Sequence, residues 1–469
     1  KAHRSTNSWG RAPKKNSNLR RLPRAMANVA LRDDKEESRQ STDSDGSEPF
    51  LRPGGAFAAT ICLSKAAIGA GVLSIAAHCG EVGAGFQAMS LVTGAWLTVW
   101  SIDMIARVCI ETGRWSFEDL CELVHPAFAA LTGFINASMC VGCAAAYLMV
   151  AGQVYQVLLD ADDKARARFV VFVGVFLCGP LALARHVSFM RHLAACSMVA
   201  LLFLVVSVAW FAGTRGVAES VTKENFLEGV ENATVFTRVN SLNTVVFAYT
   251  NQFNAPQLLG EISEPKELNM AAAARWSSLL SLVLYSMASV LGVLAFGVNQ
   301  KDTLVLGLSP ARTEAYVQLC LLAVMFSSLM TRLALFSHCG WGQRCFQFHV
   351  YPVRQFVAYL VRKLRGRKAT QEKDVMYLGQ SLTRWLDILC ALTTVVLAIL
   401  VAVVMTSLRS VLNFIGAFAS SYISYIVPPV CLLALRGQKD FWSAEMAPVV
   451  LFAVGAFFFI FGTYAAVVS

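Results

Sequence analysis

The sequence GGAFAATICLSKAAIGAGVLSIAAH, residues 54–78, decides the fold. It is long and apolar enough for a helix that crosses a bilayer, which needs roughly 20 predominantly apolar residues. Near its middle, Gly69-Ala70-Gly71 interrupts the apolar run. A helix broken at membrane depth loses hydrogen bonds unless a cavity, a ligand or other protein takes up the freed groups. The stretch therefore predicts a broken transmembrane helix.

Ten further segments are predicted to cross the membrane: 83–110, 131–159, 169–184, 193–213, 241–260, 276–299, 315–338, 382–407, 411–435 and 447–468. Apolar residues make up 56% of the chain and charged residues 15%, whereas a soluble protein carries about 25% charged residues. The mean hydropathy is +0.54. Because helices satisfy their own backbone groups in lipid, we expect an all-α polytopic membrane protein with about eleven transmembrane helices over 54–468.

The basic residues are unevenly distributed, and their pattern predicts the orientation of the chain. The formal net charge is +10. If the amino terminus is cytoplasmic, most Lys and Arg fall in inner segments, above all in residues 1–53 and in the basic loop 339–381. By the positive-inside rule, the amino terminus lies in the cytosol and the carboxyl terminus outside. Residues 1–53 are expected to form a disordered tail, and the charge does not indicate a nucleic-acid partner.

A second break is predicted in 241–260, the sixth segment. It contains the polar run TNQFN at 250–254, followed by Pro256. Interrupted helices at corresponding positions of two halves are typical of transporters built from inverted repeats. The first segment enters the membrane from inside and the sixth from outside, as that inversion requires. We therefore expect two five-helix halves.

The two breaks supply the groups that an amino acid zwitterion needs. Freed amides that open a half-helix carry partial positive charge and attract a carboxylate. Freed carbonyls that end a half-helix can accept from an α-ammonium group. The candidate amides are those of Gly69, Ala70 and Gly71, and the candidate carbonyls are those of Ala66, Ala67, Phe247 and Ala248. In the alternative interpretation, the glycines merely pack against a neighbouring helix.

These segments together resemble the amino acid/auxin permease family. The resemblance rests on KAAIGAGVL at 65–73, GCAAAYL at 142–148, FAYTNQ at 247–252, GEISEP at 260–265 and NFIGA at 413–417. It covers residues 54–468 in order, and the run at 250–252 is most similar to the amino acid permeases of protozoan parasites. The resemblance implies amino acid transport and a LeuT-type 5+5 inverted repeat in which helices 1 and 6 are broken.

Several polar side chains are candidates for the substrate site, and each has a structural alternative. Tyr147 could form a pocket wall or only pack between helices. Asn251 and Gln252 could belong to the pocket or a gate, or cap a half-helix. Glu261 could be a gate or a solvated helix end. The predicted pocket also includes Ile68, Tyr249 and Thr250.

Lys65 is a charge deep in the first segment, about ten residues and hence ~15 Å from its start. A lysine at the centre of a membrane helix costs roughly 2.5–3.5 kcal/mol on insertion scales, and it could pair with hydroxyls of Ser327, Ser328 or Thr331. The resemblance puts Lys65 where sodium-coupled members supply a ligand. We therefore expect sodium-independent transport. Because burial disfavours the charged lysine, proton exchange there could couple to transport.

The predicted function is secondary active transport of amino acids by alternating access, with symport as the expected mode. Neutral substrates are favoured, because the spans at the site have no Asp or Glu near their midpoints and an unpaired buried charge is costly. A permease for Lys and Arg is one alternative, and a membrane sensor with the same fold is another. An ion channel would favour rings of charge around a pore.

An enzyme would need a nucleophile or a base–metal set, whereas the histidines are expected at loop or interfacial positions. We expect no catalytic residues, no metal and no cofactor. The predicted partners are an amino acid substrate and the lipid bilayer, and no protein partner is identified. The plasma membrane is expected rather than an organelle membrane. Asn232 is the predicted glycosylation site, because its sequon lies in an outer loop.

Overall fold

The structure, a computed structural model, describes residues 55–180, 190–230, 233–262, 265–298, 302–308, 384–436 and 446–468, together with parts of 314–325 and 353–361. Within these ranges the chain is helical and contains no β-strand. The predicted tail 1–53 lies outside the described residues, as does most of the predicted loop 339–381. The helices belong to the compact unit Pro53–Ser469.

The described helices are numbered in chain order. They are α1 (Ala56–Ala67), α2 (Gly71–Val82), α3 (Ala84–Thr112), α4 (Phe117–Glu122), α5 (Pro126–Leu159), α6 (Asp163–Phe172), α7 (Met190–Arg215), α8 (Lys223–Glu228), α9 (Val235–Ala248), α10 (Ala255–Glu261), α11 (Lys266–Phe296), α12 (Leu304–Gly307), α13 (Arg384–Val404), α14 (Leu408–Ile415), α15 (Val427–Arg436), α16 (Ala447–Phe457) and α17 (Thr463–Val468). π-Helical turns extend α6 and connect α14 to α15 and α16 to α17.

Five continuous helical stretches of the described chain are long and apolar enough to cross a membrane. They are Ala84–Thr112, Pro126–Leu159, Lys266–Phe296, Leu408–Arg436 and Ala447–Val468. Helices α1 and α2 meet the same criterion together, but they are bent by 59° at the break between them. The chain is therefore a helical polytopic membrane protein, and its first predicted segment is broken where Gly69 and Gly71 interrupt it.

The second interruption also occurs where the polar run lies. Helix α9 ends at Ala248, and α10 begins at Ala255 after a 3₁₀ turn at Gln252–Asn254. Pro256 lies in the first turn of α10. A proline is tolerated there because the first amides of a helix have no intrahelical acceptor. The polar run thus ends one helix, and the proline fits the start of the next.

Helix α11 is the element against which the first broken helix packs. It lies along α1, α2 and α3, while α9 packs against α2 and α14. The side of α11 that is buried carries small residues, namely Ala273, Ala274, Ser277, Ser278 and Ser281. Small residues let helix backbones approach closely in membranes. Both breaks are consequently enclosed by other helices of the bundle.

Some boundaries differ from the predicted segments. Helix α11 begins at Lys266, ten residues before the predicted start of segment 276–299. Its first turn is polar, and the Lys266 ammonium lies 4.3 Å from the centre of the Trp115 ring, a cation–π contact. Apolar content identifies the part of a helix in lipid and misses such polar ends. Most of the predicted segment 315–338 lies outside the described residues.

Candidate functional site

The two helix breaks contact each other directly. A Cβ atom added to Gly71, the first residue of α2, would lie 3.0 Å from the Cβ of Ala248 and 3.2 Å from its Cα. Ala248 is the last residue of α9. Gly71 does not have a positive φ, so glycine is needed here for space rather than for an unusual backbone conformation. The glycine does pack, as the alternative interpretation held, but its neighbour is the other break.

Tyr147 of α5 lies against the first break. A Cβ atom on Gly69 would overlap the Tyr147 hydroxyl, and the backbone of Ala70 hydrogen-bonds to that hydroxyl. The backbone of Ile68 instead continues the end of α1, because its amide donates to the Ser64 carbonyl at 2.7 Å. The sequence identified Tyr147 and the glycine motif as separate candidates for the substrate site. In the structure the two are in contact.

Tyr285 of α11 joins the two breaks through one hydroxyl group. That hydroxyl lies 2.8 Å from the carbonyl oxygen of Ala67 and 2.7 Å from the carbonyl oxygen of Ala248. These carbonyls end α1 and α9, and both were predicted acceptors for an α-ammonium group. A tyrosine hydroxyl has one proton, so the two carbonyls share it. Tyr285 was not among the residues predicted from the sequence, although a tyrosine in the middle of an apolar segment needs a polar partner.

Gln252 is fixed from one side and unpartnered on the other. Its Oε1 accepts from the Asn251 amide and from Ser424 Oγ, each at 2.9 Å. Its Nε2 has no hydrogen-bond partner in the described part of the chain, and the side chain is 0% exposed. A buried polar group without a partner costs about 1–3 kcal/mol. Such a group is retained at a cost in stability and calls for a functional explanation.

Asn251 shows the complementary arrangement. Its Nδ2 donates to the Leu63 carbonyl in α1 at 3.4 Å, which leaves Oδ1 without a partner among the described residues. The residue is 1% exposed. It precedes the 3₁₀ turn Gln252–Asn254 but makes no side-chain cap there. The two neighbouring residues thus present one buried free acceptor and one buried free donor.

The chain matches, over residues 52–468, a family model described as transmembrane amino acid transporter protein. It belongs to that family. It is 21% identical over 381 residues to vacuolar amino acid transporter 5 of Schizosaccharomyces pombe, covering 80% of this chain and 83% of that protein. It is 22% identical to vacuolar amino acid transporter 6 of Saccharomyces cerevisiae, covering 77% of this chain and 86% of that protein.

The name of one animal relative states its coupling ion. Sodium-coupled neutral amino acid transporter 7 of Xenopus laevis is 22% identical over 443 residues, which is 88% of this chain and 91% of that protein. The family and these relatives are transporters and not enzymes. The chain is therefore an amino acid transporter embedded in a lipid membrane, and the predicted resemblance is confirmed.

The other predicted pocket residues of this transporter lie near the second break. Thr250 bonds locally, because its Oγ1 donates to the Val246 carbonyl at 2.7 Å. The Tyr249 ring packs edge-on against Tyr285 with 5.3 Å between ring centres. Phe247 approaches Gly71, since a Cβ atom there would lie 3.5 Å from its Cδ1. The Thr250 side chain thus also bonds to the end of α9, and the pocket role of these residues stays a prediction.

Lys65 and Ala66 belong to the last turn of α1, and the Lys65 side chain is half-buried. An ammonium group is favourable at that end, because the carbonyls there carry partial negative charge. Its predicted partners Ser327, Ser328 and Thr331 lie outside the described residues, as does Asn232. Glu261 ends α10, and its side chain also lies outside the described part.

A buried histidine in the transporter corrects the expectation that histidines occupy loops or interfaces. His78 of α2 is fully buried. Its Nε2 lies 2.9 Å from Thr244 Oγ1 on α9, and its Nδ1 lies 2.9 Å from Arg409 Nη2 on α14. Thr244 Oγ1 donates to Asn413 Oδ1 at 2.5 Å. Arg409 also forms an ion pair with Glu81, one turn beyond His78 on α2. The sequence separates these partners by more than 160 residues.

Proposed function

We propose that the protein is a secondary active carrier whose amino acid substrate binds between the two helix breaks. The observation that carries this proposal is the direct contact of Gly71 with Ala248, together with the single Tyr285 hydroxyl shared by the carbonyl ends of α1 and α9. Transporters with discontinuous helices bind substrate where half-helix ends meet at the repeat interface. A carrier by alternating access is the mechanism that this arrangement favours.

The start of α2 is the proposed site for the substrate carboxylate. The residue before it, Ala70, provides no side-chain cap. The amides of Val72 and Leu73 donate to the carbonyls of Gly69 and Ala70, so the amides of Gly69 and Gly71 are the proposed donors to the carboxylate. Such amides carry the partial positive charge of the helix dipole. The volume that a side chain would take at Gly69 and Gly71 is filled by Tyr147 and Ala248, so in this proposal a carboxylate binds beside these two residues or displaces them.

The carbonyls of Ala67 and Ala248 are the proposed acceptors for the α-ammonium group. Each carbonyl oxygen has two lone pairs, so it can accept from the Tyr285 hydroxyl and from a substrate at once. The hydroxyl then holds both half-helix ends at a fixed spacing. Tyr285 is therefore proposed as a positioning residue for the ammonium site.

The free atoms of Asn251 and Gln252 support a neutral, polar substrate side chain. One acceptor, Oδ1, and one donor, Nε2, suit an uncharged group such as a carboxamide or a hydroxyl. Neither 66–71 nor 247–254 contains an Asp or Glu, so a cationic side chain would lack a carboxylate partner. A Lys or Arg permease remains the alternative, with backbone carbonyls as the acceptors.

The remaining parts of the proposal concern topology and coupling. The 59° break of the first helix and the interruption at 249–254 support a LeuT-type 5+5 repeat of about eleven helices. The charge distribution supports a cytoplasmic amino terminus and an outer carboxyl terminus. Sodium independence rests on Lys65, although a relative is named sodium-coupled.

The membrane in which the carrier resides is proposed from its relatives. Two of those described above are named vacuolar amino acid transporters, and these names do not favour the plasma membrane expected from the sequence. An organelle membrane is therefore the first location to test. Co-localisation of the tagged protein with organelle and surface markers decides between them.

Counterflow in proteoliposomes tests the carrier function. Vesicles loaded with one unlabelled amino acid should accumulate the same labelled amino acid, and a panel of all twenty should show neutral polar substrates first. A sensor with the same fold would bind ligand without exchange across the membrane. Binding without counterflow for every amino acid would therefore contradict the proposed function.

A further inference from the structure

The orientation of the Gln252 side-chain amide follows from its partners. The backbone amide of Asn251 only donates, so the Gln252 atom that lies 2.9 Å from it is the oxygen and not the nitrogen. The same oxygen lies 2.9 Å from Ser424 Oγ, which therefore donates to it. Two donors thus hold Oε1. The nitrogen Nε2, on the other branch of the amide, has no partner in the described part of the chain.

Ser424 uses its hydroxyl differently from a neighbouring serine. It lies in the π-helical turn Tyr422–Ile426, which connects α14 to α15. A serine in a helix can donate to the carbonyl four residues earlier, as the Ser421 hydroxyl does to Ala417. The Ser424 hydroxyl instead donates across to the second break. It therefore holds a side chain of another element and not the backbone of its own helix.

Ser424 is itself held in place by α3. Its carbonyl oxygen accepts from Ser101 Oγ of that helix at 2.5 Å, and the residue is buried. Helix α3 also supports the second break, because a Cβ atom added to Gly94 would lie 2.9 Å from the Tyr249 ring. The continuous helix α3 thus fixes both the serine and the segment that carries Gln252, so the hydroxyl and the amide are kept at a constant spacing.

The amide of Asn251 is oriented in the same way. A carbonyl only accepts, so the Asn251 nitrogen faces the Leu63 carbonyl and Oδ1 is left as a free acceptor among the described residues. Beside it, Gln252 offers a free donor. A primary carboxamide carries an acceptor and a donor on one carbon atom and can pair with both. A carboxylate of the same size would set an oxygen against Oδ1, and an apolar side chain would leave both atoms unpaired, which is costly.

We propose that Ser424 is a positioning residue for specificity, which holds the Gln252 amide so that the site selects carboxamide side chains over carboxylates of the same size. The inference rests on the proposed carrier function and names the class of side chain that the site takes. Ser424 acts through Gln252 and does not contact the substrate. Without its hydroxyl, one donor would hold the amide, whose terminal torsion is soft, and Nε2 would lose its fixed direction.

The test measures counterflow of glutamine, glutamate and methionine in proteoliposomes, since these amino acids have side chains of similar length. The wild-type protein should have its lowest apparent KM for glutamine. Ser424→Ala should raise that KM about fivefold, the effect of one hydrogen bond, and change the KM for methionine far less. Ser424→Thr keeps the hydroxyl and should restore the preference. The matched control is Ser420→Ala, because Ser420 is also buried but its hydroxyl faces Met139 and not the break.

The outcomes separate this inference from the proposed function. Absence of counterflow for every amino acid in the wild type would reject the carrier itself. Counterflow that prefers glutamate or methionine to glutamine would overturn the side-chain class alone. A Ser424→Ala protein in which all three KM values change equally, or not at all, would show that the serine does not set specificity. If Ser424→Ala does not fold, Ser424→Cys replaces it. A thiol is a weak donor of similar size, so the preference for glutamine over methionine should fall, and an unchanged preference would contradict the proposal.

Discussion

At the scale of single residues, the hydroxyl of Tyr285 links both breaks. Tyr285→Phe keeps the ring and leaves the carbonyls of Ala67 and Ala248 without their shared donor. Loss of a buried hydrogen-bond partner costs about 1–3 kcal/mol, so the melting temperature should fall. The apparent KM for substrate should also change, because the two half-helix ends lose their fixed spacing.

Thermal unfolding in detergent and counterflow kinetics check this expectation. Tyr155→Phe is the control, since Tyr155 stacks on Phe169 with 4.2 Å between ring centres and is only half-buried. An unchanged melting temperature and KM in Tyr285→Phe, equal to those of the control, would show that the hydroxyl does not hold the two breaks.

A second prediction at the residue scale concerns the unpartnered side-chain nitrogen of Gln252. Gln252→Ala removes the unpartnered Nε2 and the acceptor of Ser424. Uptake of polar substrates should fall relative to apolar ones by about tenfold, the effect of one hydrogen bond worth about 1.4 kcal/mol. Asn251→Ala should shift the same ratio through the loss of Oδ1.

Competitive uptake against a panel of amino acids measures that ratio, with surface expression recorded for each variant. Gln156→Ala is the matched control, because Gln156 bonds to Asp163 at the exposed end of α5. If both variants at the break keep the parental substrate profile, Asn251 and Gln252 have a structural role and the pocket lies elsewhere.

The residues that could and could not be predicted differ in a physical way. Gly69, Gly71 and the polar run at 250–254 are visible in the sequence, because they contradict their apolar surroundings over a few positions. Tyr285 and His78 have partners on other helices, which no local pattern reveals. A lone tyrosine or histidine in an apolar segment shows only that a partner exists, and the fold decides which one.

At the scale of helices, the start of α2 lies in close contact with the end of α9. Gly71→Val places branched carbon atoms where Ala248 lies 3.0 Å from an added Cβ. Overpacking of a buried contact costs typically about 1–3 kcal/mol. We expect lower thermal stability and a loss of transport, because the two half-helices are forced apart.

The control for this substitution is Gly213→Val in α7, where an added Cβ would meet nothing within 4 Å. It should leave counterflow unchanged. Size-exclusion profiles and melting curves of both variants, measured beside counterflow, separate a packing defect from a loss of expression. A fully active Gly71→Val protein would contradict the close contact of the two breaks.

Element boundaries were less predictable than element existence. The apolar windows located α3, α5 and the stretch Ala447–Val468 within a few residues, because long apolar runs leave little choice in lipid. They did not locate the polar first turns of α11, nor the π-helical turns after α14. One of these turns contains Gly416, where an added Cβ would overlap the backbone of Asn243. Such a turn depends on a neighbouring helix, and its own sequence does not show it.

At the scale of the whole molecule, the position of Lys65 bears on the ion that drives transport. Lys65 lies in the last turn of α1, next to the first break. Its ammonium group would take the place and charge that a sodium ion has in a sodium-coupled carrier, so uptake should persist when choline replaces sodium. Strict sodium dependence of the wild-type protein would reject this role for Lys65.

The same argument makes Lys65→Ala the most informative variant of the complete carrier. Removal of the charge from the end of α1 should abolish net uptake or uncouple it from the ion gradient, while the melting curve shows a folded protein. Lys164→Ala, at an exposed position of α6, is the control for loss of one lysine and should transport normally. Uptake by each variant is measured in sodium and in choline, at neutral and at acidic pH. If Lys65→Ala keeps the parental rate and pH profile, Lys65 serves only to complement the carbonyl end of α1.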